Sequence, residues 1–229
     1  IKPRPSGLLV SPKTLLSLAE SIIEVLVEQQ ISATLWLKLP PGKIWYSAIK
    51  RYHEQVKVSD STYVCHTQNA GLERLVQEGF PVVPVQIVPN SQLRRDYFLL
   101  VLSPEFSSLI LAHRSRIRRR RRVNKMSLIS VCSFEKVTIQ AVLDGLKHSI
   151  TQSVKLSVQP QSQAKNLELL KKWDSLFIPP SVPNTMLVEQ LLAKQVQQQD
   201  AIRRSVINEK ITKLQQQNQE LINNLSRKN

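Results

Sequence analysis

Two hydrophobic rhythms alternate along this chain. Leu15, Leu18, Ala19, Ile22 and Leu26 recur at steps of three and four, the period of one helix face. Ser11-Pro12 just ahead of them supplies an N-cap oxygen and a residue with pre-set φ at the first helical position. The spacing predicts an amphipathic helix over residues 12–29. Alternation then takes over in ATLWLKL (33–39), and strands are predicted there and in STYVCHT (61–67), PVVPVQIV (81–88), YFLLVLS (97–103), SSLILAHR (107–114) and MSLISVCSF (126–134). Pro84 pushes the third of these toward a sheet edge or a bulge, because proline donates nothing to a ladder. Only Pro104-Glu105-Phe106 separates 97–103 from 107–114, so those two read as a hairpin, and 126–134 is expected to pair with 107–114 as a second one. Helical spacing returns weakly in 43–55, where Trp45, Ile49 and Tyr52 share a face, and clearly in 135–152. Residues 1–10 read as a lead-in and the Gln/Ser-rich 153–163 as a linker, with a short helix expected at 166–177 and a proline break at 179–183.

The pattern predicts an α/β (α+β) fold: a mixed, largely antiparallel sheet flanked by helices, followed by a long C-terminal coiled-coil helix. The expected divisions are a sheet domain at 8–152, a linker with a short helix at 153–183 and a dimerising helix at 184–229, capped by Asn184 or Thr185. That last helix holds no Pro or Gly, and its end carries a seam of Ile207, Ile211, Leu214, Asn218, Leu221 and Leu225 at alternating steps of four and three. With Ile211 at heptad position a, Asn218 also falls at a, and a lone Asn there fixes register in a parallel pair. The seam predicts a homodimer.

Composition narrows the chemistry. The 229 residues contain only 5 glycines, none clustered, which excludes the Gly-rich loops that cradle phosphates. Cys65 and Cys132 stand far apart with no Cys/His cluster, so no metal site is expected and both read as inert thiols in a reducing compartment. No nucleophile–base motif and no paired carboxylates stand out, so the chain is not expected to be an enzyme, and no cofactor is evident. No apolar run is long enough to span a membrane, there is no signal peptide, and a cytoplasmic location is expected. The first residue is Ile1 rather than Met, so the chain is expected to be a piece of a longer protein.

The net charge is +15, with 32 Lys+Arg against 17 Asp+Glu. About half of that excess sits in HRSRIRRRRRVNK (113–125), the tip of the expected second hairpin: Arg114, Arg116, Arg118, Arg119, Arg120, Arg121 and Arg122, with Lys125. The run reads either as a solvated loop tip or as a docking point for an anionic partner, nucleic acid or membrane surface, since guanidinium forks suit phosphate. It lacks interleaved aromatics for base stacking. Trp36 and Trp45 are candidates for an input pocket or simply for the core. Arg95 and Asp96, at the entry of the most apolar strand, read either as a solvated turn or as a ligand contact.

Three stretches carry a resemblance: SPKTLLSLAESIIEVLVEQQISATLWLKLP (11–40), GLERLVQEGFPVVPVQIVPNSQLRRDYFLLVLSPEFSSLILAH (71–113) and VCSFEKVTIQAVLDGL (131–146). Together they resemble the DICT domain, found in diguanylate cyclases and two-component systems. The run from Arg95, Asp96, Tyr97 and Phe98 to Ser103, Pro104, Phe106 and Ser107 is its most specific part. The resemblance spans roughly 8–152 and implies a sensory input module, with no ligand or site chemistry attached; the Arg-rich insertion is not a family feature. The ending KLQQQNQELINNLSRKN looks like the lead into a histidine-kinase dimerisation helix, as in the N-terminal input part of a cyanobacterial-type sensor histidine kinase. None of His53, His66, His113 and His148 lies on that helix, so a phosphoacceptor is expected beyond Asn229. The implied function is signal input to an output kinase or other signalling domain. The competing class is a regulator that binds nucleic acid or an anionic surface through the Arg tip.

Overall fold

The computed structural model describes residues 7–40, 44–56, 62–67, 82–88, 92–114, 128–156, 160–173 and 184–226. Seven strands form one sheet: β1 (Leu8–Val10), β2 (Thr34–Lys38), β3 (Thr62–His66), β4 (Val82–Gln86), β5 (Asp96–Leu102), β6 (Ser108–Arg114) and β7 (Leu128–Ser133). Their spatial order is β1-β7-β6-β5-β2-β3-β4. Strands β2, β3 and β4 pair in parallel, and the other four pairings are antiparallel. The mixed, largely antiparallel sheet predicted from the pattern is therefore present. Both expected hairpin pairings form, with Asp96 opposite His113 in one and Arg114 opposite Leu128 in the other. Pro84 lies in β4, which closes the sheet on one side, the edge position that a residue without an N–H tolerates.

Among the described residues the helices are α1 (Pro12–Glu28), α2 (Ile44–Gln55), α3 (Lys136–Leu156), α4 (Pro160–Lys171) and α5 (Thr185–Ser226). Ser11 caps α1 as its sequence suggests, its Oγ accepting from the Thr14 N–H at 3.1 Å. The helix ends when Gln30 takes φ 51°, which turns the chain so that the Ile31 N–H reaches the Leu26 carbonyl at 2.9 Å. β2 then enters the middle of the sheet, and all five of its residues are buried.

Strict alternation along the central strands divides the core in two. Leu35, Leu37, Val64, Leu99, Val101 and Ile110 face α1, α2 and the start of α5. Trp36, Tyr63, Cys65, Phe98, Leu100 and Leu109 face α3 and α4. The second face is covered by Ile139, Leu143, Leu146 and Ile150 of α3, by Leu169 of α4, and by Trp173 just beyond α4.

Three expectations need correction. Residues 8–10, expected as lead-in, form β1, an edge strand paired with β7; three residues are too few to show a period, and the partner lies far along the chain. The expected linker 153–163 is helical up to Leu156 and again from Pro160, with only 157–159 outside the described residues. The short helix expected at 166–177 lies at Pro160–Lys171. Its true start is marked by Pro160 at the first helical position. The Gln/Ser composition misleads because the polar groups are used internally. Asn166, 2% exposed, donates to the Gln86 carbonyl at 2.9 Å and to Ser153 Oγ at 2.8 Å, and Ser153 donates to the Gln86 carbonyl at 2.9 Å.

Candidate functional site

Two regions bring together residues singled out from the sequence. The first is the end of the sheet where β2 stops, β5 starts and β6 stops. Register places Lys38 beside Phe98 and Asp96 beside His113. Lys38 is nine-tenths buried, and its ammonium donates to the carbonyls of Leu93 and, at 2.9 Å, Asp96. His113 Nδ1 lies 2.5 Å from Asp96 Oδ1, and Arg114 donates to the Tyr97 hydroxyl at 2.5 Å. The Arg114 guanidinium also stands 5.4 Å from the centre of the Tyr97 ring, within cation–π range. Arg95 is exposed beside this group, in the 3-10 turn Gln92–Arg95.

Burial dominates the electrostatics here. It lowers the Lys38 ammonium to a pKa of about 8, helped by Arg114 and opposed by Asp96 and Cys65. Burial also pushes the Cys65 thiol up to about 12, with Lys38 pulling slightly the other way. At that value the thiolate is scarce near neutrality, in keeping with an inert core cysteine. In the unfolded chain Lys38 keeps the ordinary 10.5, so between about pH 8 and 10.5 the unfolded state binds the extra proton. Stability is then expected to rise with pH across that window and to lose this gain as pH falls back through it. Denaturant titrations of the protein and of Lys38→Met between pH 7.5 and 10 check this; the slope should be shallower in the variant. Equal slopes would contradict it.

Trp36 and Trp45 do not share a pocket. Trp36 is fully buried on the α3–α4 face, stacked on Tyr63 at 4.3 Å and edge-on to Trp173 at 5.3 Å. Trp45 belongs to the α1–α2 cluster on the other side of the sheet. Alternation along β2 separates them: Trp36 points away from Leu35 and Leu37, the residues that face the Trp45 side. Asp96 and Arg95 join the charged group at the strand ends instead. Of the Arg run, Arg114 is tied to Tyr97, while Arg116 and Arg118 to Arg122 lie outside the described residues.

The second region is α5, 42 residues and about 63 Å long at the usual helical rise. Its first part packs on the domain. Leu187 and Leu191 enter the core, Lys194 pairs with Glu28 at 2.5 Å, and Gln198 Oε1 accepts from the hydroxyls of Ser17 and, at 2.8 Å, Ser21. α5 therefore runs antiparallel to α1, and the contact turns from apolar to polar along it. On α1, Glu20 is raised from its ordinary carboxylate value, first by burial and then by Glu24, with Arg51 of α2 opposing. Farther along, Ile207, Ile211 and Leu214 are about half exposed, at 55%, 46% and 59%, and Asn218 is exposed. Leu221 and Leu225 lie on the same helix, with side chains outside the described set. Leu192 and Val196, outside the heptad seam, are exposed as well.

No group of His, Cys, Asp and Glu suited to a metal occurs among the described residues, and none of their helices is long and apolar enough to cross a membrane. Comparison with known families adds the decisive observation. The family model described as "Sensory domain in DIguanylate Cyclases and Two-component system" matches residues 1–115. The chain belongs to the DICT family. The DICT match takes in β1 to β6 and stops at the Arg run, short of the 131–146 stretch that the sequence resemblance includes. β7 and helices α3 to α5 lie outside it. No curated protein and no solved structure matches the chain.

Proposed function

We propose that this DICT chain is the cytoplasmic input module of a two-component sensor histidine kinase, pairing with a second copy through α5 and passing its signal along the helix pair to an output domain. On this reading the chain carries no catalytic centre and no cofactor of its own. Family membership supports the sensory role. The observation that carries the rest is the exposed row Ile207, Ile211 and Leu214, with Asn218 one step on, in a helix otherwise rich in Gln, Asn, Lys and Glu. Isolated helices gain little from such a row; a second helix hides it. The competing reading as an anion-binding regulator rests on the Arg tip, where Arg114 is already engaged by Tyr97.

Sedimentation equilibrium tests the pairing. The chain is expected at twice its 26.2 kDa mass. Ile211→Asp with Leu214→Asp is expected at the single mass while the sheet domain still melts cooperatively, because both side chains lie off the sheet core. A native chain that stays at the single mass at high concentration would overturn the proposal.

A further inference from the structure

The docked and the free faces of α5 lie on different sides of the helix. At about 100° per residue, Leu187, Val188, Leu191, Lys194, Gln195 and Gln198, which touch the domain, fall within about 120° of the helix circumference. On the same wheel Leu192, Val196, Ile207, Ile211 and Leu214 centre about 150° away. Leu192 and Val196 are 57% and 62% exposed although they lie in the very stretch that packs on α1. The outward apolar stripe thus begins beside the domain, well before the heptads do. Between Val196 and Ile207 the same face carries Asp200 and Arg203, both exposed and of opposite sign, a charged segment joining two apolar ones. Val196 and Ile207 stand eleven positions apart, the spacing of a slight right-handed supercoil where a heptad would wind left-handed.

Resting on the reading of α5 as a pairing helix, we infer that a second copy of this chain, parallel and in register, seats along the whole stripe from Leu192 to the end of α5. The two sheet domains then flank the helix pair, each held on the outer face of its own α5. Three features select a second copy as the occupant. The stripe is continuous with a seam whose Asn218 sits at an a position, where it meets its own counterpart. Asp200 and Arg203 of two in-register copies form a neutral group of four charges in adjacent layers. The domain already occupies a different side of each helix, so pairing through the stripe requires no undocking. In this arrangement the contact of Ser17, Ser21 and Glu28 with Gln198 and Lys194 lies one helix diameter from the dimer interface. A shift of α1 reaches that interface directly.

Disulfide trapping on the full chain tests it. In a Cys132→Ser background the remaining Cys65 is buried and its thiol stands at about 12, so it stays silent. Single variants Val196→Cys, Leu214→Cys and Ser205→Cys are oxidised with copper phenanthroline under air; Ser205 falls on the docked side of the wheel. Val196→Cys and Leu214→Cys are both expected to give linked dimers, at rates about a thousandfold above Ser205→Cys, since a preassembled pair raises effective concentration from about µM to about mM. Trapping through Leu214→Cys without Val196→Cys overturns this inference and leaves the seam dimer standing. Trapping by neither overturns both. A mixture of Val196→Cys and Ile207→Cys chains that links only between the two variants would mean antiparallel pairing, and also overturns it.

Discussion

A chain ended at residue 134 will not fold. Such a chain keeps everything the family match covers, and β7 as well, but loses α3, α4, Trp173 and α5 with its core residues Leu187 and Leu191. The sheet face of Trp36, Tyr63, Cys65, Phe98, Leu100 and Leu109 would then meet water. Ile139, Leu143, Leu146, Ile150, Leu169 and Trp173 would be lost from the other side of that contact. At about 1.5–3 kcal/mol for each large apolar side chain, those six represent about 9–18 kcal/mol, an upper estimate because unfolded chains already bury some surface. The whole stability of a typical domain is about 5–15 kcal/mol. The shortened chain is therefore expected to collect in the insoluble fraction, or to show no cooperative thermal transition. A sharp melt from that chain would mean that the family segment supports itself and that α3 and α4 are accessory.

Tyr52 carries the second large effect. It is fully buried, and its hydroxyl accepts from the Ala33 N–H at 2.8 Å while facing the carbonyls of Ile31 at 3.1 Å and Ala33 at 3.4 Å. One side chain from α2 thus satisfies the backbone between α1 and β2, just before the sheet ladder takes over. Tyr52→Phe removes the hydroxyl and leaves those groups unpaired in the core, at a cost of about 1–3 kcal/mol. Tyr52→Ala adds a cavity and is expected to cost about 3–5 kcal/mol more, enough to unfold much of the population at 37 °C. Urea denaturation of the two variants checks the order. A Tyr52→Phe midpoint equal to that of the native chain would show that the hydroxyl does nothing beyond filling space.

What the sequence disclosed follows from how each element is held. α1 is legible because its cap and its apolar face are local. β5 and β6 are legible because a three-residue turn joins two apolar runs. β1 is illegible because its three residues acquire meaning only against β7. The 153–163 stretch misleads for a related reason: Ser153, and Asn166 just past it, are polar by type yet serve as internal ties to Gln86, and no local pattern marks that use. At the candidate sites, the heptad positions of α5 and the pairing of β6 with β7 on either side of the Arg run could be read in advance. The separation of Trp36 from Trp45 follows from alternation along β2 once their elements are placed. The division of α5 into a docked and an outward face could not be read, because Leu187, Leu191, Leu192 and Val196 are all apolar and only the position of α1 sorts them. Lys38 belongs to no motif; its burial comes from β5 and the 3-10 turn before it.

The central claim is that α5 carries a signal as one of a pair of helices. Joining the chain to the catalytic part of a dimeric histidine kinase, with one to eight residues inserted after Asn229, tests it most directly. Each added residue rotates the output by about 100° on the helix, so a paired-helix relay predicts autophosphorylation that falls and recovers with insertion length, returning near seven residues. Activity that is flat, or that declines steadily with length, would contradict the claim.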